Sequence, residues 1–201
     1  MNLDLFSNQL NKPQEIELKD ASLVYYPSFF KDSRVCYESL VEEIDWRQDQ
    51  IKMFGKEHNI PRLHAWYADP NVNYSYSNIA LPRHDWTSSL SMLNSEIQNL
   101  TKESFNGCLC NLYRDGTDYA AWHADDEASL GEKPFIASAS FGETRKFVLK
   151  HKFDKGVEKF ELLLEDASLL IMKGSTQKFW LHQLSKTTKK VAPRINLTFR
   201  K

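Results

Sequence analysis

A chain of 201 residues can bury one sizeable core but is too short for two independent domains of ordinary size. Its net charge of −1 does not announce a nucleic-acid binder, and no apolar run approaches the length that spans a bilayer. Cys36, Cys108 and Cys110, odd in number and without Cys-x-x-Cys spacing, argue against a disulfide framework; with no signal-peptide pattern at the start, they point to a reducing, cytoplasmic setting (nuclear in a eukaryote).

In chain order, Leu23-Val24-Tyr25-Tyr26 reads as a strand. Asp32-Ser33 is placed to cap a helix with Cys36, Leu40, Val41 and Ile44 on one side, closing at Trp46. A second helix is expected over residues 86–101, because Leu90, Leu93, Ile97 and Leu100 recur at intervals of three and four; these read as core residues. From residue 105 the pattern changes to short strands: 105–113, 136–141, 146–151, 160–164, 168–172, 179–183 and 194–200. Such strands, separated by turns rich in Gly, Asp and Lys, favour a sandwich or barrel over a parallel α/β sheet.

Within the strand region, His123-Ala124-Asp125 is followed at a distance by His182, then Arg194 and Arg200. Residues two apart in an extended segment project to one face, so His123 and Asp125 can converge on one ion, with His182 arriving from another strand. Two imidazoles and one carboxylate leave open positions on an iron, which suits non-haem Fe(II) oxygen activation. Arg194, Asn196, Thr198 and Arg200 alternate along one strand and share a face. Guanidiniums aimed inward beside a metal are costly unless an anion meets them, and their fork matches a carboxylate.

Taken in order, Asn111-x-Tyr113-Arg114-Asp115-Gly116, His123-x-Asp125-Asp126-Glu127, Ala137-Ser138-Ala139-Ser140-Phe141-Gly142, His182 and Arg194-x-Asn196-x-Thr198-x-Arg200 closely resemble the AlkB family of Fe(II)- and 2-oxoglutarate-dependent nucleic-acid dealkylases. Looser matches upstream, at Phe54-Gly55-Lys56, Ile60-Pro61-Arg62 and Tyr74-Ser75-Tyr76-Ser77, resemble the nucleotide-recognition portion of the DNA repair enzymes of that family. The resemblance implies an α+β, mainly β fold: a double-stranded β-helix, or jelly roll, with N-terminal helices and a nucleotide-recognition lid. It implies one dioxygenase domain over residues 1–201, made of an N-terminal extension with the lid (1–104) and a jelly-roll core (105–201).

By the same resemblance His123, Asp125 and His182 are the catalytic metal ligands. Arg194 and Tyr113 take the distal carboxylate of 2-oxoglutarate, Arg200 lies near its metal-binding end, and Asn111, Asn196 and Thr198 support it. O2 is the second cosubstrate. The implied reaction hydroxylates an N-alkyl carbon of a base such as 1-methyladenine or 3-methylcytosine, and the product falls apart to aldehyde and repaired base, with succinate and CO2 as coproducts. The expected partner is alkylated DNA, double- or single-stranded, with RNA as an alternative, and the expected state is a monomer free of membranes.

A base modified on its pairing edge must be unpaired or flipped out before an oxidant reaches it. The resemblance places Tyr74 and Tyr76 in the base pocket, with the base between Tyr76 and the His123 ring, and Asp126 and Glu127 accepting its exocyclic hydrogens. Met53-Phe54-Gly55, between polar residues 48–52 and 56–59, reads as an exposed wedge that fills the gap left by a flipped base; Phe54 as a core residue would instead favour single strands or RNA. Arg62 is a candidate phosphate contact.

The net charge conceals an asymmetry. Residues 1–132 carry 11 basic and 21 acidic side chains, and residues 133–201 carry 15 and 6. Arg145, Lys146, Lys150, His151, Lys152 and Lys155, with Lys186, Lys189 and Lys190, are candidates for a phosphate-binding surface, the alternative being a solvated hairpin. Other readings remain: a 2-oxoglutarate oxygenase with another substrate, a nucleic-acid-binding module without catalysis, and a zinc hydrolase, in which the arginines would have no clear task.

Overall fold

The computed structural model describes residues 12–53, 55–72, 74–76 and 79–201. Strands β1 (Gln14–Leu18) and β2 (Ala21–Tyr26) precede helix α1 (Ser33–Glu43). Five short strands and one longer one follow: β3 (Gln50–Met53), β4 (Lys56–Asn59), β5 (Leu63–Ala68), β6 (Tyr74–Tyr76), β7 (Ile79–Leu81) and β8 (Arg83–His84). After helix α2 (Ser88–Thr101) come β9 (Gly107–Tyr113), β10 (Ala120–His123), β11 (Ile136–Gly142), β12 (Arg145–His151), β13 (Phe160–Leu164) and β14 (Ser168–Lys173). A one-turn helix α3 (Thr176–Phe179) leads into β15 (Trp180–Leu184), and β16 (Arg194–Arg200) completes the sheet.

Eight strands form one sheet in the order β1-β2-β14-β11-β16-β9-β5-β8, and four form a smaller one, β10-β15-β12-β13. Neighbours in both sheets run antiparallel except β5 and β8. The result is mainly β, with two facing sheets as in a jelly roll. β1, β2, β5 and β8 come from the first 104 residues, so the segment expected as an extension supplies strands to the larger sheet. The hairpins β3–β4 and β6–β7 are separate two-stranded sheets.

Alternation along β16 explains both layers. Ile195, Leu197 and Phe199 join the core that Cys36 and Leu40 of α1 share with Leu90, Leu93 and Ile97 of α2. Arg194, Asn196, Thr198 and Arg200 face the other way and are nonetheless buried. Between the sheets, Leu149 and Phe147 of β12 pack with Leu170 and Met172 of β14.

The helices differ from expectation at their ends. Thr87 caps α2, its hydroxyl accepting from the Leu90 amide at 3.2 Å, but Leu100, expected in the core, lies at the rim with 37% exposure. Val41 is likewise exposed on α1. Asp32 precedes α1 in the left-handed region (φ 50°) and makes no side-chain cap, while Ser33 donates to Asp166 at 2.7 Å. Gly107, which ends the Arg200 register, allows the Trp66 ring to lie where a Cβ would otherwise stand.

Candidate functional site

The smaller sheet brings the two distant histidines together. His123 of β10 and His182 of β15 are direct cross-strand partners, and their ring centroids lie 4.3 Å apart at 67°. His123 Nδ1 lies 2.7 Å from the Ala121 carbonyl, which can only accept, so Nδ1 carries the hydrogen and a neutral ring presents a lone pair at Nε2. That Nε2 sits 3.2 Å from His182 Nε2. Asp125, just beyond the end of β10, brings Oδ2 to 3.8 Å from His182 Nε2. Ligand atoms of His123, Asp125 and His182 all lie within 4.8 Å of one another.

Electrostatics prepare His182 and Asp125 for a cation. Burial, with His123 alongside, pushes His182 down to about 3, so it is a neutral donor at ordinary pH. Burial alone would raise the Asp125 carboxyl, but Arg200 and the two histidines outweigh it and hold the carboxyl below its usual range. Arg200 donates from Nη2 to Asp125 Oδ1 and from Nη1 to Glu127 Oε1, both at 2.8 Å. Burial disfavours the Arg200 cation, yet Asp125, Tyr74 and Glu127 raise its pKa above the ordinary value. The set is neutral nitrogen plus carboxylate oxygen, facing a pocket, and it fits a divalent first-row metal.

At the other end of β16, Arg194 has no carboxylate partner among the described residues. Its Nη2 donates to Ser140 Oγ at 2.9 Å, its Nε is buried without a partner, and its carbon lies 5.5 Å from the centre of the Tyr113 ring. Burial lowers its pKa to about 10. A fully buried guanidinium with an orphaned N–H, opening on the pocket that holds the histidines, fits a carboxylate ligand. Between the arginines, Asn196 donates to Ser138 Oγ at 2.8 Å and to the Ala139 carbonyl at 3.1 Å, and Thr198 donates to Asn196 Oδ1 at 3.2 Å.

Asn111 stands opposite Asn196 across β9 and β16. Its Oδ1 accepts from Arg62 Nε at 2.7 Å; because a guanidinium only donates, this fixes the amide orientation and leaves Nδ2 as a donor. Arg62, expected as a phosphate contact, is thus a buried residue of the pocket wall that also donates to the Tyr119 carbonyl at 3.2 Å.

Tyr74 stacks on Trp66 at 4.8 Å, and the Arg200 guanidinium lies 4.8 Å from its ring centre. Burial raises the Tyr74 hydroxyl well above its ordinary pKa. Asp126 is bound to Lys152 at 2.8 Å, and Glu127, besides its bond to Arg200, has a buried Oε2 without a partner. Gly55 and Lys56 lie exposed in the β3–β4 hairpin, Gly55 with φ 78°. Phe54 and Ser77 lie outside the described residues, as does the side chain of Tyr76.

The cationic cluster is corrected in part. Arg145 is buried, with its guanidinium on the carbonyls of Asp115, Asp118 and Ser185, so it ties loops together and is not offered to phosphate. His151 is buried beside Asp20, and Lys146 pairs with Glu161 at 2.7 Å. Lys150 lies over the Trp122 ring and Lys186 over the Tyr119 ring, while Lys155, Lys189 and Lys190 are exposed.

Some site residues were not legible as such. Ser138 and Ser140 carried a signal in the alternation Ala137-Ser138-Ala139-Ser140, which puts both hydroxyls on the face of Asn196 and Arg194. Gln177 carried none: it sits in the one-turn α3 and meets the Asp125 amide only in three dimensions, at 2.9 Å.

A family model of the 2OG-Fe(II) oxygenase superfamily matches residues 22–200. Alpha-ketoglutarate-dependent dioxygenase alkB homolog 3 of Bos taurus is 42% identical over 178 residues, covering 85% of this chain and 62% of the relative. DNA oxidative demethylase ALKBH2 of Mus musculus is 37% identical over 170 residues, covering 82% of this chain and 71% of the relative. The chain thus spans a little under two thirds of the alkB homolog 3 relatives it matches. Among solved structures, that of OsALKBH1 aligns with a TM-score of 0.66 at 17% identity, over 94% of this chain and all of that one, a likeness of fold.

Proposed function

This chain belongs to the 2OG-Fe(II) oxygenase superfamily and, within it, to the AlkB family, and from that premise we propose that it is a dioxygenase that removes N-alkyl groups from nucleic-acid bases, DNA first. The observation that carries the reading is one pocket with two ends: His123, Asp125 and His182 within 4.8 Å at one, and the buried, anion-seeking Arg194 at the other.

In this reading His123, Asp125 and His182 would hold Fe(II), and Arg194 with Tyr113, Asn111, Asn196 and Thr198 would hold 2-oxoglutarate. Bound there, iron with 2-oxoglutarate and O2 would supply the oxidation of an N-alkyl carbon. The chain's own work is orientation. Arg200 fixes the Asp125 carboxylate, and Ser140 fixes the Arg194 fork, so neither must reorganise when a ligand arrives. Tyr74 and Glu127 stand next to Arg200 in the pocket wall, at the end we take as its mouth.

A base flipped to that mouth would meet Tyr74 and Tyr76, with Asp126 and Glu127 as acceptors, while Phe54, Gly55 and Lys56 at the β3–β4 hairpin would act on the strand left behind. Aromatic stacking in such sites contributes on the order of 1–3 kcal/mol per base. Substrate class draws further support from the ALKBH2 relative, which is named a DNA oxidative demethylase. No helix among the described residues is long and apolar enough to cross a membrane. A single domain acting as a monomer, cytoplasmic or nuclear, completes the proposal.

The test is reconstitution with Fe(II), 2-oxoglutarate and ascorbate without oxygen, then exposure to O2 with matched single- and double-stranded oligonucleotides carrying 1-methyladenine. Loss of one methyl by mass is the expected result. Succinate without demethylation would remove the substrate assignment and keep the oxygenase; neither product would remove both. A Phe54→Ala variant that loses duplex activity more than single-strand activity supports the wedge, and equal loss would count against it.

A further inference from the structure

We propose that Gln177 and Lys152 are positioning residues that hold the Asp125 carboxylate at the metal site through the backbone of the loop that bears it; the inference rests on the metal-site reading above. His123 is the last residue of β10, and residues 124–127 have no regular structure, so no sheet ladder fixes Asp125. Yet Asp125 is buried, and its N–H needs an acceptor. Gln177 supplies one, with Oε1 at 2.9 Å.

Gln177 is itself held. It is 1% exposed, and its Nε2 meets Met172 Sδ at 3.4 Å, which leaves the amide oxygen turned to the loop. Its backbone carbonyl accepts from Lys152 Nζ at 2.8 Å, and the same ammonium donates to Asp126 Oδ2 at 2.8 Å. Two successive loop residues are therefore tied to α3, which runs directly into the strand of His182. Arg200 draws the Asp125 carboxylate from one side by its Oδ1; the Gln177 bond restrains the peptide from the other, and Oδ2 is left facing His182. Neither Gln177 nor Lys152 reaches a metal-binding atom. Their effect would be exerted through the placement of one.

Calorimetric titration of the metal-free full chain with Mn(II) alone tests this, with the absorption bands of the Co(II)-loaded protein as a record of coordination geometry. Gln177→Leu, which removes the acceptor, should weaken Mn(II) binding by about 10- to 100-fold, the usual effect of losing a residue that orients a ligand, and should alter the Co(II) bands. Gln177→Glu keeps an acceptor oxygen and should bind close to wild type. Lys152→Met should show a smaller loss in the same direction. Wild-type affinity and an unchanged Co(II) spectrum in Gln177→Leu would overturn the inference, as would equal losses in the Leu and Glu variants. Should Gln177→Leu fail to fold, Lys152→Met decides alone, and wild-type affinity there overturns it. Wild-type protein that binds no Mn(II) would overturn the metal-site reading and this inference with it.

Discussion

Arg200 Nη2 lies 2.8 Å from Asp125 Oδ1, and both side chains are almost fully buried, so the last residue of β16 neutralises the one carboxylate of the candidate metal centre. This pairing makes the carboxylate affordable inside the fold before any cation is bound, and it puts two cations in line for one anion once a metal arrives.

Replacing Arg200 with Met should therefore destabilise the metal-free protein by roughly 3–5 kcal/mol, because a buried carboxylate loses its partner. Divalent metal should then recover part of the loss. Differential scanning of wild type and variant with and without Mn(II) checks this: the metal-induced rise in melting temperature should be larger in the variant, and an equal rise would dissociate Asp125 from the metal.

Arg194 predicts the opposite balance. As a buried cation that meets hydroxyl and ring neighbours and no carboxylate among the described residues, it is a liability to the empty fold, so Arg194→Met should melt no lower than wild type in the absence of 2-oxoglutarate. Wild type should gain about 2.7 kcal/mol at a 2-oxoglutarate concentration of 100 Kd, and the variant should gain little at the same concentration. An undiminished shift would assign the distal carboxylate to another residue.

Asp125→Ala should abolish iron-dependent turnover while leaving the chain folded, since the same substitution frees Arg200 to keep Glu127. Retained turnover would exclude the His-Asp-His assignment.

Gly107→Ala places a methyl group in the Trp66 ring, against which Tyr74 stacks. Overpacking of this kind costs about 1–3 kcal/mol. Urea unfolding should show that loss in the single variant and a smaller one when Trp66→Leu is present as well; strictly additive losses would deny the contact.

Buried His64 binds Asp49 Oδ2 at 2.8 Å, and Arg47 holds Oδ1 of the same carboxylate. Burial, aided by Arg62 and Arg47, lowers the His64 pKa below its ordinary 6.5 despite Asp49. Between its folded pKa and 6.5 the unfolded chain binds the extra proton, so stability is full above 6.5 and falls as pH drops through that window. One such proton is worth at most about 1.4 kcal/mol per pH unit. His64→Gln should flatten the plot of unfolding free energy against pH below 6.5, and parallel slopes in the two proteins would count against the assignment.

Strands with a run of apolar residues, alternating as in β16 or continuous as in β14, were legible from residues alone. β13 and β16 begin and end where the pattern puts them, and β9, β11, β12, β14 and β15 differ by one or two residues. β10 escaped because it is four residues long and interrupted by a register shift between Ala120 and His123. Edge strand β1 went unread although Gln14-Glu15-Ile16-Glu17-Leu18 alternates and sets Ile16 and Leu18 against the core, whereas β4 is exposed along its whole length. His123, Asp125 and His182, which the fold brings within 4.8 Å, were singled out by the run of motifs around them, since a His-x-Asp pair on its own recurs by chance. Arg62 and Arg145 were misread for one reason: surface and interior arginines look alike until the acceptors, Asn111 for one and three carbonyls for the other, are brought in by the fold.

The two faces of β16 also bear on how such a molecule could be redesigned. Every residue from Arg194 to Arg200 is committed, alternately to the helix-backed core and to the pocket, so the strand has no position left to vary. Among the described residues the β3–β4 and β6–β7 hairpins share no ladder with either main sheet. Exchanging those hairpins, of which β6–β7 brings Tyr74 to the pocket wall, is thus the way to change what the pocket admits while both main sheets stay as they are.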